Sequence, residues 1–567
     1  MRLHAIFAVL ILCLLFAATA PAQQAHKLAL PTPEQVAWHD MEIEMFLCLD
    51  PCTWQDRERD NHSTPLKKIN PAKLDTDQWA RAAELMGARQ IIFVAKHHGG
   101  FCWWQTETSD YGVKSIPWRG GHGDVVADLA ESCRRRGIKL GMYLSPADDH
   151  IGAGNGGKCK TPEAQARYDK IFRQQLTELL SRYGQVHEVW FDGSCVVEVD
   201  DILAKYTPKA MIFQGPQATI RWVGNELGLA PYPAWNSVGE KDGRSGVATR
   251  QHGNPDGSLW LPLECDARIR STWFWNSKNA HTLKSLDELM KMYYVSVGRG
   301  AVLLLNNTPD TTGLIPASDM RRTAEFGAEI RRRFGRSVGE TSGDGKLVEL
   351  DLGRPMPIDH VACMEDIRQG ERVRKYVLEG RVEGDWRTLA SGTAIGHKRI
   401  DQIEPVTVSR LRLRVIESAG QPRIRKLAVY NTAVKPVAGT ILPSKNEFRL
   451  AGVWTIKPQS GPQTLEIDLS KVIREAAQFE VVLVPEGDKT EKGKITVAKA
   501  QLLLDGVDSP AFIEPIAGKT GFNLNITAFP TGKKGSIRLR ASVGTIGNTV
   551  DKKPVSVKIL VRKRPLE

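Results

Sequence analysis

Val186-His187-Glu188-Val189-Trp190-Phe191-Asp192-Gly193 reads as a short apolar strand that ends in an acid, with a glycine directly after it. A carboxylate at the tip of a buried strand is costly unless partners hold it. A parallel barrel places its working acids there, at the C-terminal mouth of the sheet. The plainer alternative is a turn aspartate that bonds its own loop. The flanking sequence decides between the two.

Working outward, β-rich runs alternate with helical stretches from about residue 40 to 335. Met45-Phe46-Leu47 precedes a helix over 75–86, where Trp79, Ala82, Ala83 and Met86 share one face and Asp75 or Thr76 caps the start. Ile91 to Ala95 is the next strand. A helix follows over 124–136, with Val125, Val126, Leu129 and Cys133 on one face and arginines at its C-terminal end. Lys139 to Leu144 is a strand, 162–182 a long helix, and Val186 to Phe191 the strand quoted above. Met211-Ile212-Phe213, a helix over 286–297, the strand Val302 to Leu305 and a helix near 318–333 complete the series. This alternation and length predict an α/β fold, a (β/α)8-type barrel over 35–335. Gly152 to Gly157 does not lead from strand to helix, so it is a loop and not a phosphate cradle.

Beyond 335 the helical period gives way to short alternating runs such as Lys346 to Leu352 and Arg410 to Val415. These predict a β-sandwich over 336–433. A linker near Lys435 leads to a further β-rich domain over 434–567, with strands at Thr464 to Leu469, Phe479 to Val484 and Val555 to Val561. Two β-sandwich-like domains therefore follow the barrel.

The 567 residues exceed one compact core, and 41% hydrophobic with 25% charged residues is an ordinary globular balance. Met1-Arg2-Leu3-His4, the apolar run Ala5 to Ala18 and Ala20-Pro21-Ala22 predict a signal peptide over 1–22 and export to the periplasm or outside the cell. No segment is long enough for a transmembrane anchor. Eight cysteines follow (Cys48, Cys52, Cys102, Cys133, Cys159, Cys195, Cys265 and Cys363) without a CxxC pair. One or two disulfides are compatible with export, and buried thiols suit Cys48 and Cys52. A formal charge of +12 suits an acidic partner such as a sulfated or uronate-bearing glycan. Arg331-Arg332-Arg333 reads as a solvated helix end, so no nucleic-acid partner is expected.

Several expected strand ends carry polar groups. Lys96-His97-His98-Gly99-Gly100-Phe101 follows the second strand, Tyr143 and Ser145 the third, and Asp192 the fourth. Arg221-Trp222-Val223-Gly224-Asn225-Glu226 comes next, and then Trp260-Leu261-Pro262-Leu263-Glu264-Cys265-Asp266 precedes Trp273-Phe274-Trp275. Taken singly, a histidine pair is more often structural and a tryptophan cluster more often core. Together they suit sugar chemistry: tryptophan stacks on sugar faces, His, Arg and Tyr bond hydroxyls, and two carboxylates cleave a glycosidic bond. The histidine pair lacks the downstream spacing of a zinc site, so no metal or other cofactor is expected.

These motifs, with Phe46-Leu47-Cys48, Asp110-Tyr111, Gly123-Asp124-Val125-Val126, Tyr143-Leu144-Ser145-Pro146 and Ser296-Val297-Gly298-Arg299, resemble glycoside hydrolase family 29, the retaining α-L-fucosidases. The resemblance covers about residues 38–320. It implies that Asp192 is the nucleophile. The Arg-Trp-Val-Gly-Asn-Glu element resembles the branch that favours α-1,3/1,4-linked fucose, which puts Glu226 in the acid/base role with Glu264 as the fallback. It also implies that His97, His98, Tyr143 and Arg221 hold the sugar, that Trp273 or Trp275 packs the fucose methyl group, and that Glu58 adds a hydroxyl contact. The sandwich over 336–433 resembles the galactose-binding-like domains appended to such hydrolases.

Three departures stand out. Cys48 replaces the family's usual histidine, Gly99 an aspartate that is often present, and Glu44 a residue that is often small. A thiol donates weakly to a hydroxyl. The expectation is an exported, exo-acting α-L-fucosidase acting on fucosylated oligosaccharide or polysaccharide. The alternatives are an α-glycosidase with altered sugar preference through Cys48, and a carbohydrate-binding protein that has lost catalysis.

Overall fold

The computed structural model describes residues 28–243 and 252–434, and beyond these a set of β-strand segments between 449 and 563. The expected signal peptide and the linker at Lys435 lie outside the described residues.

Eight parallel strands form the first domain: β1 (Ile43–Leu47), β2 (Gln90–Lys96), β3 (Lys139–Leu144), β4 (Val186–Trp190), β5 (Met211–Phe213), β6 (Arg221–Trp222), β7 (Leu263–Arg268) and β8 (Val302–Asn306). They neighbour one another in chain order, β8 pairs with β1, and a parallel bridge between Phe213 and Ile220 joins β5 to β6. The sheet is therefore a barrel. All five residues of β1 and all seven of β2 are buried, as expected for strands covered on both faces.

The helices start and stop where the sequence provides caps. In α1 (Thr76–Met86) the Asp75 carboxylate accepts from the Asp77 and Gln78 N–H groups, and Gly87 ends the helix at φ +87°. In α2 (Val125–Arg136) Asp124 accepts from Ala127 N–H, and in α3 (Pro162–Arg182) Thr161 accepts from Ala164 N–H. The connection from β6 to β7, over residues 223–262, departs from the α/β rule. Among its described residues it carries a two-stranded pair, Ser237–Val238 with Leu259–Trp260, and one short helical piece, Glu240–Gly243.

The second domain is a six-stranded antiparallel sheet built from β9 (Gly339–Asp344), β10 (Leu347–Glu365), β11 (Val373–Val382), β12 (Asp385–Gly392), β13 (Arg399–Ser418) and β14 (Arg423–Tyr430). The long β10 and β13 pair with two breaks in register, which bend them around an apolar core containing Val361, Tyr376, Leu411 and Leu427. This domain braces the β6–β7 connection. The Tyr232 hydroxyl donates to Ala394 O and accepts from the Thr393 and Ala394 N–H groups, while Asn236 gives two hydrogen bonds to the buried Glu371. The strand segments near the C-terminus form a five-stranded and a four-stranded sheet. Among the described residues no helix is long and apolar enough to cross a membrane, and all eight cysteines are free thiols.

The barrel floor has an unusual composition. Glu44 on β1, Glu188 on β4 and Glu264 on β7 point inward and are fully buried, each with one carboxyl oxygen within 4.8 Å of the others. Gln90 Nε2 donates to Glu44 and Glu188 at 2.9 and 2.8 Å, Trp38 Nε1 to Glu188 at 3.0 Å, and Trp190 Nε1 to Glu264 at 2.9 Å. Burial, and then the neighbouring carboxylates, push all three groups well above the usual carboxylate range. Their stabilising contribution is complete at acid pH and is lost as pH rises through the raised range. The slope reaches about 1.4 kcal/mol per pH unit for each proton retained. Glu264→Gln removes one titrating group and keeps an acceptor for Trp190. In a pH series of melting temperatures the variant should lose less stability than the wild type toward alkaline pH. Parallel curves would show that Glu264 is ionised throughout.

Candidate active site

The side chains at the C-terminal mouth enclose a cavity of about 200 Å³. Asp192, Glu226, His97, Tyr143, Trp273 and Cys48 all line it. Those residues come from six different strand ends, so the barrel brings together what the sequence spreads over more than two hundred positions.

Asp192 follows β4 directly. Tyr143 Oη donates to its Oδ2 at 2.9 Å, and His98 Nε2 lies 3.2 Å from the same oxygen. His98 Nδ1 is 2.7 Å from Ser145 Oγ. His98 therefore bridges Asp192 and Ser145, its Nε2 placed to donate to the carboxylate and its Nδ1 paired with the serine hydroxyl. Burial pushes the Asp192 carboxyl up, but the hydrogen bonds from His98 and Tyr143 outweigh it. The net position is below the usual range, so Asp192 is ionised. Gly193 must be glycine: its φ is +74°, and a Cβ there would lie 2.2 Å from Asn155 Oδ1.

His97, half-buried, packs against Phe274 with ring centroids 4.8 Å apart and lies beside Tyr143 and His98. Burial and the neighbouring histidine hold it well below the usual histidine range, so it is neutral. Trp190 stacks on Phe213 with ring centroids 3.8 Å apart, and its indole separates the cavity from the glutamate floor.

Glu226 lies beyond β6, with an oxygen 3.4 Å from Arg268 Nη2. Next to it stands Asp266, a third cavity carboxyl, which accepts from Trp222 Nε1 at 2.7 Å. Burial, then the Glu226 charge, push Asp266 well above the usual range. The mouth thus pairs an ionised carboxylate on one arc with carboxyl groups in a different environment on another, the arrangement that divides nucleophile from acid/base work.

The remaining expected residues fall elsewhere. Glu264 is in the floor beneath Trp190 and does not reach the cavity. Arg221 points to the opposite side of β6, where its Nε and Nη2 hold Leu261 O and Trp235 O. Glu58 stands behind the cavity wall and accepts the Trp273 N–H at 3.1 and 3.2 Å, which fixes the loop bearing that ring. Trp275 does not line the cavity, and Phe274 does. At Gly99 a Cβ would lie 2.6 Å from Asp60 Oδ2, so the Asp60 carboxylate occupies the space of a side chain at 99. Sequence reasoning assigned no role to Asp266, Arg268 or Gln214. The signal for the first two was present: Glu264, Asp266 and Arg268 alternate along β7 and share its inward face.

The family model for alpha-L-fucosidase matches residues 27–332. Alpha-L-fucosidase 1 of Arabidopsis thaliana is 33% identical over 455 residues, spanning 71% of this chain and 88% of that protein. A glycoside hydrolase family 29 member from a rumen bacterium superimposes with a TM-score of 0.66 at 30% identity, over 94% of this chain and 96% of that one. A Ruminococcus gnavus family 29 fucosidase in complex with fucose gives a TM-score of 0.64 at 27% identity, over 73% and 96%. A barrel with carboxyl groups in unlike environments at its mouth is the frame of a glycoside hydrolase. The chain belongs to the alpha-L-fucosidase family, glycoside hydrolase family 29.

Tyr143→Phe removes one donor from the Asp192 carboxylate. Turnover should fall roughly 10- to 100-fold, the loss of one hydrogen bond to a charged group. The acidic limb of the pH–rate profile should move to higher pH, because the lost contact holds the carboxyl down. An unmoved acidic limb would detach Tyr143 from the titration of Asp192.

Proposed function

We propose that the protein is an exported, exo-acting α-L-fucosidase of the α-1,3/1,4-preferring branch that cleaves terminal fucose with retention of configuration. The observation that carries this reading is the ionised Asp192 facing the same small cavity as Glu226. In the first step Asp192 Oδ attacks the anomeric carbon while Glu226 gives its proton to the departing oxygen. In the second, Glu226 takes a proton from water, and that water cleaves the sugar–Asp192 ester. A cavity near 200 Å³ suits one terminal sugar better than an internal chain segment. Trp273 and Phe274 offer apolar wall for a methyl group, and His97 and Tyr143 face the hydroxyls, while His98 lies outside the cavity lining and holds Asp192 from behind. Arg268 opposes the charge Glu226 acquires when it has given up its proton. The substrate is a fucosylated oligosaccharide or polysaccharide, and a net charge of +12 favours an acidic one.

Asp192→Asn should abolish hydrolysis of aryl α-L-fucosides. Glu226→Gln should lose much more activity on oligosaccharides than on aryl fucosides, whose leaving groups need little protonation. NMR of the first-formed product should show the α-anomer. A β-anomer, or full turnover by the asparagine variant, would end the assignment.

Cys48 supports a second reading, an enzyme of the same mechanism with shifted sugar preference. Its buried thiol lines the cavity, and burial, followed by the Glu58, Asp50 and Asp192 charges, keeps it protonated and a weak donor. In a panel of aryl α-glycosides the fucoside should give the highest kcat/KM, and Cys48→His should raise it further by about 5- to 10-fold, one neutral hydrogen bond. A different best substrate for the wild type would favour the shifted preference.

A further inference from the structure

Gln214 follows β5, and so stands between the strand end that carries Asp192 and the segment that carries Glu226. It is buried at 5% exposure, and it lines the cavity with both acids. Its Oε1 accepts from Gly193 N–H at 2.7 Å and Ser194 N–H at 3.1 Å, the two backbone donors immediately after Asp192. Two converging N–H groups fix which amide atom is oxygen, because a nitrogen there would meet two donors. The amide plane is thereby fixed as well, and its Nε2 has no acceptor among the described residues. The backbone is unusual at each point: φ is +74° at Gly193, +81° at Ser194 and +64° at Gln214 itself. Left-handed serine and glutamine are uncommon, and such backbone persists where its surroundings hold it.

Resting on the fucosidase reading, we infer that Gln214 works at both ends of its amide. The oxygen positions the turn that aims Asp192, and the NH2 group donates to a hydroxyl of the terminal sugar beside the scissile bond. Donors aimed at the sugar near the reacting carbon are a recurrent source of transition-state stabilisation in glycosidases, so the second role affects rate as well as binding. This makes Gln214 a sugar-binding residue and a positioning residue, assigned from the order of strands around the barrel.

The test compares Gln214→Glu, which keeps an acceptor for both N–H groups and loses the donor, with Gln214→Met, which loses both without adding charge. Melting temperature, affinity for free L-fucose and kinetics on an aryl α-L-fucoside are measured for each. Both variants should bind L-fucose at least ~5-fold more weakly, the loss of one hydrogen bond, and both should lose kcat/KM to a similar or greater degree. Gln214→Met should lose additional kcat as the Asp192 turn loosens, while Gln214→Glu keeps the wild-type melting temperature. Wild-type fucose affinity in a folded Gln214→Met protein overturns the inference. So does a loss confined to Gln214→Glu, which added charge beside Asp192 explains. A wild-type protein that neither binds nor cleaves the fucoside overturns the fucosidase reading instead. The two variants are then compared on whichever aryl glycoside the wild type cleaves.

Discussion

Trp190 keeps apart two carboxyl environments that lie on one strand. Glu188, Trp190 and Asp192 face the same way because side chains alternate along β4. Below the indole, Glu188 joins Glu44 and Glu264 in a fully buried cluster whose carboxyl groups are pushed well above the usual range. Above it, four residues on from Glu188, Asp192 is ionised by Tyr143 and His98. The difference arises from partners: the floor offers neutral donors from Trp38, Gln90 and Trp190 among like charges, whereas the mouth offers a histidine pair and a phenol. The barrel can hold both because a flat, stacked indole separates them.

The same alternation along β7 yields Glu264, Asp266 and Arg268, from floor to mouth. One strand thus supplies a buried floor acid, a cavity acid beside Glu226 and the cation that pairs with Glu226. The connection that bears Glu226 has little regular structure of its own. It is held from outside, by Arg221 on the far side of β6 and by Tyr232 and Asn236 against the second domain. That domain's observed contacts are those of a brace for the segment bearing the proposed acid/base. Tyr376, one aromatic available for sugar stacking, is instead buried with its hydroxyl on Asp401, and the Trp386 ring lies 4.1 Å from the Arg412 guanidinium.

How much was legible in the sequence varies by element. The helices over 76–86, 125–136 and 162–182 were readable because apolar spacing, N-caps and terminal glycines agree locally. Strands β2, β3 and β4 were readable as apolar runs. The two-residue β6 has no periodicity to read, and its pairing comes from β7. Asp192 was legible because an acid and a glycine directly after an apolar strand leave few structural readings. Arg221 misled for the opposite reason: on a strand, one step along the chain reverses the face, and Trp222 took the inward one.

The sequence by itself determined the alternation of strands and helices, the acid at the end of β4 and the family motifs, because those are properties of neighbouring residues. Only the tertiary structure decided which acids share a cavity. Glu226 and Asp266 meet Asp192 there, while Glu264, two residues before Asp266, is sealed beneath Trp190. It also decided which carboxyl groups are pushed above the usual range, since that depends on burial and on partners brought from distant strands.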